Sequence, residues 1–247
     1  MCAIHQPNLF PRLSTLAKLF TADVWVVLDD VQFTRRDFQH RARLGEPSCT
    51  RWLTIPTHLP NGRTTQIRSA RMVDAARSRR RVEGSLREEY RASPFWPQLA
   101  ERLRAVLELF ASTDRTAEIT EASTRLLLDM LGWQGAVVRS SAFAVGTGRT
   151  QRLVDLCRAV GAASYLCGSG GSRYVEPTLF ADAGVELRPF AVPAEGVWAG
   201  SRTVSAAHSL MMHGPVAVRH AVETENLSSP VGSGSASSAG PRRGSAS

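Results

Sequence analysis

The run CAIHQPNLFPRLSTLAKLFTADVWVVLDD, residues 2–30, decides how the rest of the chain is read. It opens on a short apolar segment that ends in a polar turn carrying Pro7 and Pro11. Leu13, Leu16, Leu19 and Phe20 then recur at helical spacing. Residues 24–28, VWVVL, are apolar without interruption and bounded by charge. A β-branched run that short and continuous reads as a strand buried on both faces, as in a parallel sheet. Strand, helix and strand in this order make a βαβ unit.

Working outward, the same alternation continues. RWLTIP at 51–56 reads as a strand followed by a turn at Pro60, Asn61 and Gly62. Residues 73–92, 96–112 and 117–131 carry helical spacing, and the third helix stops at Gly132. VVRSSAF reads as a strand, 149–160 as a helix ended by Gly161, and 164–167 as a strand. A short helix at 176–183, a strand in VELRPF and a helical stretch at 203–223, interrupted at Gly214 and Pro215, complete the series. The expected fold is α/β, with a mainly parallel sheet flanked by helices and a helical middle segment at about 73–131. Residues 1–225 are expected to form one domain, and the Ser- and Gly-rich residues 226–247 a disordered tail.

With 247 residues, 43% of them hydrophobic, the chain can bury a core without disulfides or metals. No stretch approaches the roughly 20 uncharged apolar residues that span a bilayer, and the N-terminus has no pattern of a signal peptide. A cytoplasmic globular protein is expected, away from membranes. Cys2, Cys49, Cys157 and Cys167 form no CxxC pair and read as free thiols, with no metal site. The net charge is +8, and Lys18 is the only lysine. Residues 34–104 hold 16 arginines against 7 acids and account for the whole excess. Arginine's rigid fork suits phosphate and carboxylate oxygens, so an anionic donor is an expected partner. Residues 77–81 read instead as the solvated face of a helix. No aromatic residues interleave the arginines in a stacking pattern, so DNA is not an expected partner.

Two polar clusters follow the first two strands: His5, Gln6 and Asn8 after one, Asp29, Asp30 and Gln32 after the other. Ligands of open α/β sheets bind at the carboxyl ends of strands. His5, with an ordinary pKa near neutrality, is a candidate general acid or base. Asp29 or Asp30 can orient it, accept from a sugar hydroxyl, or hold a cation with a bound phosphate; alternatively the carboxylates cap the next turn and His5 is a core residue. Arg36, Arg41 and Arg43 either form an anion clamp beside these carboxylates or pair with Asp29, Asp30 and Asp37. A second candidate site is CGSGGSRY at 167–174, where Gly168, Gly170 and Gly171 at a strand end let backbone amides converge on an anion. It is neither a Walker loop nor a dinucleotide fingerprint, and no cofactor is identified. Cys167 has no sequence-local base that would make it a nucleophile.

IHQPNLFP, Lys18, LDDVQFTRRDFQHRARL and WLTIP, together with SYLCGSGGSRYVEPTLFADAGVEL, resemble the WbqC-like protein family over most of residues 3–220. The resemblance implies biosynthetic tailoring in polysaccharide or natural-product assembly. It implies a site near His5, Gln6, Asn8, Asp29, Asp30, Gln32, Arg36, Arg41 and Arg43, with Lys18 and Tyr174 in the matching motifs. The chain departs from the family pattern at Ser14 and Thr15, where a glycine and an aromatic residue are usual, and at His208, where an aspartate is usual. The expected function is transfer of an acyl or aminoacyl group to an amine of a sugar or small metabolite, with a charged tRNA as one donor to test. A nucleotidyl or phosphoryl transferase and a non-catalytic family member are the alternatives.

Overall fold

The computed structural model describes residues 1–228, with side chains through residue 225. Its centre is a five-stranded, wholly parallel sheet built from β1 (Cys2–His5), β2 (Val24–Val27), β7 (Ala136–Arg139), β8 (Ser164–Gly168) and β9 (Glu186–Phe190), in the spatial order β7-β2-β1-β8-β9. The fold is therefore α/β, as the alternation of elements predicts. The chain first builds outward from β1 through β2 to β7, then returns to the other side of β1 for β8 and β9. The gap between β1 and β8 is the topological switch point of the sheet.

Side-chain alternation along the strands sorts the core into two layers. Ala3, Trp25 and Val27 face one side, where they join α1 (Leu13–Thr21), α4 (Thr116–Met130), α7 (Ala206–His213) and α8 (Pro215–Ser228). Cys2, Ile4 and Val26 face the other, against α5 (Arg149–Ala159) and α6 (Pro177–Asp182). The middle segment supplies α2 (Ala75–Tyr90), α3 (Trp96–Leu109) and α4, whose buried leucines extend the first layer.

The structure departs from the sequence expectations at the 51–56 strand, at the end of β7 and at residues 226–228. The strand expected at 51–56 is β4 (Cys49–Thr54), and it pairs antiparallel with β3 (Arg41–Glu46) in a hairpin outside the main sheet, as the short β5 (Thr57–His58) does with β6 (Arg71–Met72). Strand β7 ends at Arg139, because Ser140–Ala142 turn into a 3-10 helix capped by Asp29. The interruption expected at Gly214 is present: Gly214, at φ 83°, separates α7 from α8, and a Cβ there would lie 2.5 Å from the Phe95 ring. Residues 226–228, expected in the tail, close α8, since no helix breaker precedes Pro230; residues 229–247 lie outside the described residues. Among the described residues no helix is long and apolar enough to cross a membrane.

Candidate functional site

A cavity of about 480 Å³ opens at the carboxyl ends of β1 and β8, at the switch point. On the β1 side its wall is the turn HQPN. His5 is held by its own backbone: its carbonyl accepts from the Trp25 indole N–H at 3.2 Å and from the Leu28 amide at 2.9 Å. The turn that follows is fastened to α4. The Asn8 carbonyl accepts from Thr124 Oγ1 at 3.0 Å, and the Phe10 amide donates to Ser123 Oγ at 3.0 Å. Phe10 sits at φ 40°, a left-handed conformation that costs energy in a bulky residue and that the surrounding anchors enforce. The result is a rigid wall that presents His5, Gln6 and Asn8 to the cavity.

The His5 Nδ1 lies 2.7 Å from the Gln6 carbonyl oxygen, which can only accept, so Nδ1 carries the hydrogen. Burial, with the charges of Lys18 and Arg12 adding to it and the Gln6 bond opposing, pushes the His5 pKa down to about 3. The ring is neutral at physiological pH, and Nε2 is an unprotonated acceptor. His5 is thus a fixed hydrogen-bond acceptor rather than a store of protons near neutrality, which narrows the general acid or base role expected from its ordinary pKa.

Lys18 rises from α1 into the same cavity with only 6% of its surface exposed. Its Nζ donates to the Ile4 carbonyl at 3.3 Å, and its stem lies along Gly168. Burial lowers its pKa to about 8, against the opposing pull of Cys167 and Cys2. Beside it run Gly168, Ser169, Gly170 and Gly171, with Tyr174 at the rim. Cys167 is buried beneath this loop, and burial pushes its thiol pKa up, with Lys18 opposing, which disfavours the reactive thiolate.

Two cations that the sequence did not single out complete the lining. Arg12, from the turn before α1, lies over the Phe38 ring at 4.3 Å and donates to the Arg202 carbonyl at 3.0 Å. Arg202 donates to the Val192 carbonyl at 3.1 Å. Both line the cavity, opposed by Asp37. Ser14 and Thr15, the two positions of departure from the family pattern, line it as well. His208 does not; it is a partly buried residue of α7.

The second polar cluster lies elsewhere. Asp29 accepts from the Ser141 amide at 3.0 Å and the Ser141 hydroxyl at 2.8 Å, and it lines a separate cavity of about 190 Å³ at the ends of β2 and β7. Asp30 accepts from Ser140 Oγ and pairs with Arg152 of α5 at 2.5 Å. Burial would raise the Asp30 pKa, but these bonds outweigh it and lower it. Gln32 donates to the Arg63 carbonyl at 2.7 Å. None of the three reaches the His5 cavity. Neither do Arg36, Arg41 and Arg43. Arg41 donates to the Arg36 carbonyl at 2.6 Å, and Arg41 and Arg43 stack on Trp52 with guanidinium carbons 4.3 and 4.8 Å from the ring centroid. The β3–β4 register pairs Arg43 with Trp52, so a stacking pattern that the sequence does not display exists in space. Phe38, 5.9 Å from Trp52 and beneath Arg12, carries this ladder to the cavity rim. Among the described residues no three His, Cys, Asp or Glu side chains converge as a metal site would require.

These features define a parallel α/β protein with a cation-lined cavity at the switch point of its sheet. Over residues 6–219 the sequence matches the WbqC-like protein family, and the chain belongs to that family. It is 23% identical over 188 residues to "Uncharacterized protein Rv1507c" of Mycobacterium tuberculosis (strain ATCC 25618 / H37Rv), an alignment covering 76% of this chain and 80% of the relative. No solved structure matches the chain.

Proposed function

We propose that the protein is a biosynthetic tailoring transferase that moves an acyl or aminoacyl group from an anionic carrier to an amine of a sugar or small metabolite. The family resemblance supports the biosynthetic setting. The observation that carries the chemistry is the division of one cavity between a neutral acceptor, His5, and the cations Lys18, Arg12 and Arg202. An amine N–H donated to His5 Nε2 turns the nitrogen lone pair toward the carrier's acyl carbon. As the N–C bond forms, the nitrogen becomes strongly acidic, and even a weakly basic imidazole can then take its proton. The bond from acyl carbon to carrier breaks, and the proton passes to the leaving group. Arg12 and Arg202 suit the anionic carrier, and the Arg–aromatic ladder through Phe38 and Trp52 extends that surface for a nucleotide-bearing donor such as an acyl-CoA or a charged tRNA.

The test is a mass-spectrometric screen for transfer from acyl-CoAs and aminoacyl-tRNA to a panel of amines, run with and without magnesium. Transfer independent of magnesium is expected. His5→Leu is expected to lower kcat by about 10²–10³-fold, with no inflection near pH 6.5 in the wild-type profile, because the His5 pKa lies at about 3. Magnesium-dependent incorporation of a nucleotide from ATP or CTP, without acyl transfer, would replace this reading with nucleotidyl transfer.

A further inference from the structure

The floor of the cavity holds more hydrogen-bonding capacity than the protein uses. Asn8 is 3% exposed, lines the cavity, and its Oδ1 has no hydrogen-bond partner. The Lys18 ammonium has three hydrogens to donate, and its hydrogen bond within the protein is the 3.3 Å contact to Ile4. On the exposed part of the loop, the Gly170 amide has no hydrogen-bond partner within the described residues. A Cβ built at Gly170 would meet nothing within 4 Å, so the loop is open on that side. His5 Nε2 is a further free acceptor. Of these groups Asn8 Oδ1 is both buried and unpaired; such a group costs roughly 1–3 kcal/mol, and native folds seldom tolerate one without a ligand or water that satisfies it.

The pattern is two-sided. Donors lie on the Lys18 and glycine-loop wall; acceptors lie on the β1 wall. Inorganic phosphate answers the donors but has little to give His5 and Asn8. A simple amine answers the acceptors and leaves a buried ammonium without a counter-charge, a costly arrangement. We infer that the cavity floor is a binding site for an aminocarboxylate, an amino acid or a molecule ending in one. Its carboxylate is held by Lys18 Nζ and the Gly170 amide, and its amine by His5 Nε2 and Asn8 Oδ1. This deepens the transfer reading by naming the acceptor amine, and it rests on that reading only for the amine's fate; the binding is separable from it.

Calorimetry on the full chain tests the site, with the twenty amino acids, their decarboxylated amines, their deaminated acids and inorganic phosphate as titrants. At least one amino acid is expected to bind, and removing either its carboxylate or its amine weakens binding by about tenfold or more. Lys18→Met is expected to weaken the amino acid by about tenfold while leaving its decarboxylated amine within about twofold. Asn8→Leu is expected to melt no lower than the wild type, since it deletes an unpaired buried oxygen, and to lose the preference for the amine. An amine that binds as tightly as its amino acid, phosphate as the sole ligand, or no heat across the panel overturns the proposal. Amino-acid binding with no transfer from any donor removes the transferase reading and keeps the site. Transfer to a neutral amino sugar with no amino-acid binding does the reverse.

Discussion

Lys18→Met is expected to make the protein more stable at pH 7, against the usual direction for a change at a buried position. The Lys18 pKa falls from 10.5 to about 8 in the folded protein. By linkage this means the folded state carries the ammonium at a cost of about 3 kcal/mol relative to the unfolded chain. Methionine keeps the unbranched stem along Gly168 and removes the charge. At this chain length the gain corresponds to roughly 6–12 °C in Tm. The sign with pH follows. Between about pH 8 and 10.5 the unfolded chain holds a proton that the folded protein has released, so the wild type gains stability as pH rises through this window. The variant lacks that gain. Thermal melts of both proteins at pH 7, 9 and 10 measure the difference, in which other titrating groups cancel. A variant that melts lower, with an unchanged pH slope, would show that the ammonium is held for structure through its bond to Ile4. A charge retained at a stability cost, facing a cavity, is the behaviour expected of a group kept for ligands. Within the cavity the same titration means that affinity for anions falls as pH rises through about 8.

How much of this was legible beforehand depends on where each residue lies relative to the switch point. The βαβ unit at the N-terminus is written in local pattern, in the Leu13, Leu16 and Leu19 spacing and the run 24–28. His5, Gln6, Asn8, Lys18 and the glycine loop come together at one cavity because they sit at the ends of adjacent strands or on the helix between them, the place where open α/β sheets leave a crevice. Asp29 and Asp30 satisfy the same rule and still lie elsewhere. Sequence does not reveal strand order: β2 is flanked by β1 and β7, so its end faces the turn of Ser140 and Ser141, while the β1 end meets β8 from far along the chain. The arginines failed for a related reason. Arg41 and Arg43 do share one side of a strand, but the hairpin partner fills that side with Trp52. Arg12 and Arg202, which do reach the cavity, carry no local signal. They are brought there by the bridge between Arg12 and Ser205, a contact spanning most of the chain.

Asp30→Ala is expected to lower stability by about 3 kcal/mol, or roughly 6–12 °C in Tm, with the cavity chemistry retained in whatever fraction folds. Asp30 and Arg152 are 13% and 18% exposed, and their contact ties the end of β2 to α5. Removing the carboxylate leaves the guanidinium without its counter-charge and takes one partner from Ser140, whose hydroxyl still reaches Asp29. The cost belongs mostly to the stranded charge, so taking away both ends should recover much of it. The double variant Asp30→Ala with Arg152→Met is therefore expected to be more stable than the sum of the single changes implies, by about 1–3 kcal/mol. The pH dependence is opposite to that of Lys18. The folded pKa of Asp30 is lowered below its ordinary 3.8, so its contribution is present above that value and is lost as pH falls through the folded pKa. Denaturant melts of the four proteins of this cycle at pH 7 and pH 3 measure both effects, and kcat per folded molecule completes the comparison. Loss of kcat in Asp30→Ala at an unchanged melting temperature would place this carboxylate in the reaction and move the site toward the end of β2. Loss of stability with kcat retained leaves the chemistry at the β1–β8 crevice, with Asp30 as the tie that keeps the neighbouring strand end closed.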